Sequence, residues 1–241
     1  MGLSSSKSLL LFLVAVGSVF VLLLFFTSDL NPSSGQNSIV PCLPRPGPDF
    51  SEKVLLDFDE GNDLAQNILQ IGKTGLGAES DWSIVEDEEA PSPPNVLAQT
   101  ASEEVNFHFP YVIVATDRLR DVDVSVQFKA ISGGIDQAAG IIFRFVDSNN
   151  YYVLRANALE DNLVLFKFVD GERPFIASAS VEIPEGEWHS VRAVVVGECI
   201  QGYLDDTLLI ETQDSSFKEG LVGLWTKADS VTYFDNLVIE Y

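Results

Sequence analysis

The sequence predicts an all-β protein, a two-sheet antiparallel jelly-roll sandwich, preceded by one N-terminal transmembrane helix. Three observations lead there. Period-two alternation dominates after Val96, as in Val122-Asp123-Val124-Ser125-Val126-Gln127-Phe128-Lys129, and that period marks a strand with one buried face. Turn-forming clusters interrupt it: Ser148-Asn149, Glu160-Asp161-Asn162, Asp170-Gly171, Pro184-Glu185-Gly186 and Asp205-Asp206. Near the amino terminus an uncharged apolar run, Leu9 to Phe26, stands apart from everything after it.

That run has eighteen residues and spans about 27 Å as a helix, close to a bilayer core. Signal-peptide apolar regions are shorter and end at a small-x-small site; here Phe25-Phe26-Thr27-Ser28 follows, so an uncleaved anchor is the expectation and a cleaved signal the alternative. Residues 1–8 form a short flank with Lys7, and Asp29 follows the run. The positive-inside rule puts the N-terminus in the cytoplasm and the rest in an extracellular or periplasmic space. Met1-Gly2 with Ser6 fits a loose myristoylation pattern, which a spanning helix makes redundant. Residues 27–50, rich in Pro, Ser, Gly and Asn, read as a tether. Residues 51–241 are of ordinary length for one domain with a full core.

Cys42 in the tether and Cys199 in a predicted strand are the two cysteines. Outside the cell they would be free to pair; pairing and two independent thiols both stay open. The chain carries a net charge of −22, and the first fifty residues contribute nothing to it, since Lys7 and Arg45 balance Asp29 and Asp49. A field of that sign repels nucleic acid and anionic lipid. No Asn-x-Ser/Thr acceptor occurs.

Strands are expected near 54–59, 96–100, 105–115, 122–131, 139–147, 150–159, 163–170, 174–183, 188–197, 199–205, 207–212, 220–227 and 231–240. Only Asp63 to Ile71 carries a helical pattern. Many short strands joined by hairpins mean a sandwich or barrel.

Ala139 to Asn157 sets Arg144 and Arg155 in the most apolar strands of an acidic chain. With Ser148-Asn149 as a two-residue turn, Phe143 faces Leu154 and Phe145 faces Tyr152. With Glu160-Asp161-Asn162 as a three-residue loop, Ala156 faces Phe166 and Leu154 faces Phe168. Pleat parity then places Phe143, Phe145, Tyr152, Leu154, Ala156, Phe166 and Phe168 on the core face. Arg144, Tyr151, Arg155, Asn157 and Lys167 stand on the outer, concave face, and Arg192 joins them if Val191, Ala193 and Val195 point inward. Guanidinium groups beside Tyr suit recognition of hydroxyls or carboxylates, and an aromatic face suits stacking on a sugar ring. The alternative is that these cations form cross-strand ion pairs that merely solvate the sheet. On the ligand reading, Arg155→Ala weakens binding and leaves the melting temperature within a few degrees.

The motif order Gly140-Ile141-Ile142-Phe143-Arg144, Asn150-Tyr151-Tyr152-Val153-Leu154-Arg155, Glu187-Trp188-His189-Ser190-Val191-Arg192, Gly202-Tyr203-Leu204-Asp205-Asp206, Gly220-Leu221-Val222-Gly223-Leu224-Trp225 and Tyr233-Phe234-Asp235-Asn236-Leu237 resembles the concanavalin A-like lectin/glucanase superfamily. The nearest likeness is to its laminin-G-like and 3-keto-disaccharide hydrolase-like domains, from about Asp81 to Tyr241. The resemblance implies a jelly roll with glycan binding or sugar chemistry on the concave face. Related glucanases carry Glu-x-Asp-x-(x)-Glu on one strand face; Glu79-Ser80-Asp81 begins so, but Ser83 and Ile84 follow. The next acid, Glu86, opens Glu86-Asp87-Glu88-Glu89, which reads as a solvated loop. Hydrolysis of that type is therefore not expected. His108 and His189 are far apart in sequence, and His189 is expected to be structural. Jelly rolls of this type often hold a structural Ca²⁺; the candidates for it are Asp57, Asp59, Glu60, Asn62 and Asp63 near the first strand and Asp235 near the last, with Asp57, Asp59 and Asp235 foremost and ordinary turn acids as the alternative. Three readings follow: non-catalytic glycan or glycoconjugate binding by a membrane-tethered domain, a sugar-active hydrolase of unfamiliar constellation, and a structural envelope domain.

Overall fold

The computed structural model describes Cys42 and residues 50–59, 68–114 and 116–241. The expected anchor at 9–26 and all of the tether except Cys42 and Phe50 lie outside the described residues. Among the described residues no helix is long and apolar enough to cross a membrane.

Fifteen strands make up the described domain: β1 (Lys53–Leu56), β2 (Ile68–Gly75), β3 (Trp82–Glu86), β4 (Asn95–Gln99), β5 (His108–Val114), β6 (Val122–Ser132), β7 (Ala138–Asp147), β8 (Asn150–Asn157), β9 (Asn162–Phe168), β10 (Phe175–Ser180), β11 (Trp188–Val196), β12 (Cys199–Leu204), β13 (Thr207–Gln213), β14 (Leu221–Trp225) and β15 (Val231–Glu240). They form an eight-stranded sheet, ordered β13-β12-β11-β6-β15-β4-β3 with β1 also on β15, and a seven-stranded sheet, ordered β10-β9-β8-β7-β14-β5-β2. The all-β sandwich expected from the alternation is present. Two strands, β2 and β3, were not expected. Ile68 to Ile71, assigned to a short helix by pattern, belongs to β2 and pairs with β5.

Strict alternation explains the first sheet. In β6 the residues Val122, Val124, Val126, Phe128 and Ala130 are buried while Asp123, Ser125, Gln127 and Lys129 are not. β11 repeats the pattern with Val191, Ala193 and Val195 inward. These residues meet Ile141, Phe143, Tyr152, Leu154, Leu163 and Leu165 of the second sheet in the interlayer core.

The second sheet is apolar on both faces. Phe109, Tyr111, Ile113, Ile142, Phe145, Tyr151, Val153, Phe168 and Trp225 form a separate cluster on its outer side. Trp225 stacks on Phe109 with centroids 5.4 Å apart, and Tyr151 on Phe168 at 4.4 Å. Gly140 makes room for the indole: a Cβ there would lie 3.1 Å from Trp225. The rings of this cluster pack on one another across the face.

This second cluster corrects the expected registers. Asp147 does pair with Asn150, as a two-residue turn requires. Phe143, however, faces Tyr152, so residues 144–146 stand opposite Tyr151 alone, a bulge with Arg144 at φ 50°. Phe145 consequently belongs to the outer cluster. Between β8 and β9 the loop has four residues, 158–161, with Asp161 at φ 49°. Leu154 therefore faces Leu165 and Val153 faces Phe166. Leu163 and Leu165 enter the interlayer core, while Phe166 and Phe168 go to the outer cluster. The parity expected for β8 is the one found: Tyr152, Leu154 and Ala156 point inward, Tyr151 and Val153 outward.

Cys42 and Cys199 form a disulfide, with Cα atoms 5.8 Å apart. The Cys42 amide also donates to Glu211 Oε1 at 3.0 Å. One residue of the tether is thereby fastened to the first residue of β12.

Candidate functional site

The six side chains expected on one outer strip occupy five places. Arg144 leaves the strip because the bulge turns it toward the end of the sandwich. Its guanidinium donates to three backbone carbonyls, Arg120 O (2.8 Å), Phe217 O (2.9 Å) and Gly197 O (2.5 Å), and is 2% exposed. Lys167 lies at the sandwich edge, its ammonium 2.6 Å from Asp214 Oδ2 and 2.8 Å from Ser216 Oγ. Arg192 is on the outer face of the other sheet, where Nε donates to Asp123 Oδ1 at 2.7 Å. Tyr151 is sealed in the aromatic cluster, its hydroxyl 2.9 Å from Thr74 Oγ1. Burial, the larger influence, pushes its phenol far above the usual range. Arg155 and Asn157 remain together.

Beside Arg155, a cavity of about 280 Å³ opens at the β8–β9–β10 end of the second sheet, just below the usual ligand-pocket range; Asn157 does not line it. Its base is built by a loop. The Asp229 carboxylate accepts the amides of Gly134 (2.6 Å), Ile135 (3.0 Å) and Asp136 (3.0 Å). This clamps the β6–β7 turn so that Asp136, fully buried, points at Arg155, Asn157 and Lys227. Arg155 continues outward to Glu160 Oε2 (2.7 Å) and Asn162 Oδ1 (2.6 Å). Partial burial pushes the Glu160 carboxyl up, but Arg155, with Asn162 and Arg173 behind it, outweighs burial and holds it below the ordinary value. It is therefore a fixed anion at neutral pH.

Arg173, in the turn before β10, was not foreseen. Its guanidinium lies over Phe166, 4.4 Å from the centroid, and over Phe109 at 5.0 Å. Among the described residues it makes no ion pair, and its NH1 is buried without an acceptor. Phe175 rises beside it, 61% exposed and edge-on to Phe166 at 6.2 Å. The rim thus offers a cationic donor, a carboxylate, an ammonium, serine hydroxyls at Ser178 and Ser180, and an exposed ring. A polyhydroxylated ring needs this combination: donors and acceptors for its hydroxyls and an apolar surface for its C–H face.

Other expected sites fare differently. Asp57, Asp59 and Asp235 do approach one another, but backbone N–H groups occupy them. Asp235 accepts Ser92 N (2.7 Å) and Asn236 N (2.7 Å), Asp59 accepts Asn95 N (3.1 Å), and Asp57 accepts Asp59 N (3.3 Å). Among the described residues no three acid, His or Cys side chains are arranged to hold a metal. Glu60, Asn62 and Asp63, the rest of the expected calcium set, lie outside the described residues; the three described acids fasten turns. Burial pushes the Asp235 carboxyl up to about 6 against its two hydrogen bonds, and Asp59 and Asp57 add repulsion. His189 binds Asp205 Oδ2 (2.8 Å) and Pro184 O (3.3 Å), the structural use expected of it. Asp81 accepts Thr100 Oγ1, and Asp87, within the expected acidic loop, pairs with Lys129 at 2.9 Å.

The geometry has counterparts among known proteins. The family model described as a 3-keto-alpha-glucoside-1,2-lyase-like domain matches residues 75–240, most of the chain. The chain belongs to that family. This 3-keto-alpha-glucoside-1,2-lyase-like domain is 32% identical over 114 residues to a levanase of Bacillus subtilis (strain 168), a match covering 46% of the chain and 16% of the levanase. Among solved structures it resembles the carbohydrate binding module CBM66 from Bacillus subtilis, with TM-score 0.56 and 22% identity, covering 72% of this chain and 98% of that one. Cellulose induced protein Cip1 gives TM-score 0.54 and 14% identity over 77% and 96% of the two chains. At these identities the structures share the fold. The two-layer arrangement is that of the concanavalin A-like superfamily.

Proposed function

We propose that this domain binds a glycan, seating one sugar ring in the cavity between Arg155, Glu160, Arg173 and Lys227, without cleaving it. One observation carries the reading: Arg173 is stacked on two phenylalanine rings and, among the described residues, makes no ion pair and keeps a buried N–H without an acceptor. A structural arginine has its donors satisfied, as Arg144 does on three backbone carbonyls. This one is held open toward the cavity, as a ligand-binding cation must be. The carbohydrate-binding and levanase relatives support the ligand class. The disulfide suits an oxidising compartment and agrees with the domain standing outside the cytoplasm, tethered by the apolar run at 9–26.

Full-length protein on a glycan array that includes levan is expected to bind at least one saccharide above background. Arg173→Ala is expected to lower that affinity about tenfold, the worth of one charged hydrogen bond, with an unchanged melting temperature. An array blank for every sugar, or an Arg173→Ala protein that binds like wild type, rejects the reading. The family match favours a second reading in which the same cavity acts on a sugar, with Glu160 or Lys227 moving a proton. Chromatography of the bound saccharide after incubation separates the two: new products establish catalysis.

A further inference from the structure

The outer face of the eight-stranded sheet carries features the cavity does not use. β6 and β11 pair so that Lys129 faces Trp188, Gln127 faces Ser190 and Ser125 faces Arg192, all pointing outward, and Tyr203 of β12 flanks Arg192. Two depressions run along this pair. One, of about 390 Å³, is lined by Asp123, Gln127, Ser190, Arg192 and Asn236 among others. The other, of about 270 Å³, is lined by Trp188, Gln127, Ser190 and Asp206 among others. They share Gln127, Ser190 and Asp206, so they form one elongated trough.

Two unmet polar atoms point to a ligand. Gln127 Oε1, an acceptor, and Trp188 Nε1, a donor, are both buried without a partner, a costly state unless something completes it. The charges, by contrast, are already spent on each other. Arg192 grips Asp123 and lies over the Tyr203 ring at 5.2 Å, Lys53 pairs with Glu240 at 3.0 Å, and His189 with Asp205 at 2.8 Å. Asp206 adds negative charge with no cation bound to it among the described ion pairs. Among the described residues an anionic ligand therefore finds no free cation here, while the lining offers the Ser125 and Ser190 hydroxyls, the Gln127 and Asn236 amides and the Trp188 ring.

We propose that this trough is a second glycan-binding surface, distinct in residues from the Arg173 cavity, and that it takes an internal stretch of a neutral polysaccharide. Its elongated form suits several consecutive sugars, whereas the cavity suits one. The ligand class is the one proposed for the cavity, but the two surfaces lie on different sheets and fail independently.

Affinity electrophoresis of the full-length protein through gels containing levan, laminarin or arabinoxylan, with polygalacturonate as the anionic control, tests this. Ser190→Trp fills the trough without removing any core residue, Trp188→Ala removes its aromatic wall, and Arg173→Ala disables the cavity. Both trough variants are expected to lose about threefold or more of the affinity for whichever neutral polymer retards wild type. Ser190→Trp is expected to keep the wild-type melting temperature and to add its loss to that of Arg173→Ala, and polygalacturonate should retard nothing. Trough variants that migrate as wild type, or an Arg173→Ala protein that loses all retardation, overturn the trough while leaving the cavity. Loss in the trough variants alone overturns the cavity while leaving the trough. Absence of retardation of wild type in all three neutral gels, or retardation by polygalacturonate abolished in Ser190→Trp, overturns the proposal.

Discussion

The two sheets of this sandwich spend their outer faces in opposite ways. The eight-stranded sheet alternates: apolar residues go inward, and Asp123, Gln127, Arg192 and Tyr203 stand outside, partly solvated. The inner strands of the seven-stranded sheet are buried, with β5 and most of β8 inaccessible on both faces, while its edge strands β2 and β10 are largely exposed. Its outer side is an aromatic floor on which Arg173 rests. A solvated face tolerates change and can serve as a shallow trough. A sealed face is rigid, and the few polar groups at its margin are fixed with little freedom left to lose on binding.

The largest test of this contrast is truncation of equivalent aromatics. Phe168→Ala in the floor is expected to cost about 3–5 kcal/mol by opening a cavity among packed rings, whereas Tyr203→Ala on the solvated face should cost under about 1 kcal/mol. Equal costs by urea denaturation would erase the distinction. The arginines give the next comparison. Arg144→Ala strands three carbonyls at the sandwich end and is expected to cost about 3 kcal/mol. Arg192→Ala, whose side chain is 40% exposed beside Asp123, should cost about 1 kcal/mol or less. Arg155, 3% exposed between Asp136 and Glu160, falls with Arg144. Its removal should unpair buried charge and lower the melting temperature well beyond a few degrees, which corrects the expectation from sequence and is why Arg173 is the better probe.

The smallest test is pH. Burial, the larger influence, pushes the Asp214 carboxyl up, but Lys167, Ser216 and Tyr152 outweigh it and hold it at about 2. Its folded value is depressed, so its stabilising contribution is present above the unfolded value of 3.8 and is lost as pH falls toward 2. Asp235 is raised to about 6, so its contribution is full below 3.8 and is lost as pH rises through 6. Together these two place a stability maximum near about pH 4. Asp235→Asn should flatten the alkaline side of that curve between about pH 4 and 6 and leave the acid side unchanged. A fall between those values that persists in Asp235→Asn would assign it elsewhere.

How much of this was legible follows the same division. Where faces alternate, as in Val122 to Lys129 and in β11, parity read from the sequence is the parity found. The β8 faces were also legible. In β9 the reading failed for a physical reason. Leu163, Leu165, Phe166 and Phe168 offer apolar groups to both faces, so a shift of register carries no penalty that a pattern would show. The deciding detail, one extra loop residue with Asp161 in the left-handed region, has no marker beyond an Asp that tolerates it. Arg144 misled similarly, because a bulge at a non-glycine residue is invisible to periodicity. The cavity was half legible. Arg155 and Asn157 were found from their strand, but Asp136, Glu160 and Lys227 come from separate turns. Arg173 had only an Arg-Pro-Phe sequence in a turn to mark it, and its role depends on Phe109, which lies four strands from β9 in the sheet order and meets Phe168 across the outer face.

The bond between Cys42 and Cys199 sets the route by which a pull on the leading segment would travel. Tension arriving from before residue 42 crosses directly into β12 and on toward the carboxyl end, bypassing residues 43 to 198, which include β1 and every lining residue of the Arg173 cavity except Lys227. Under drag the recognition half of the domain stays slack. Reduction of that single covalent link would transfer the same load to β1, which is held by its ladder to β15 and by Val54 and Leu56 at the core.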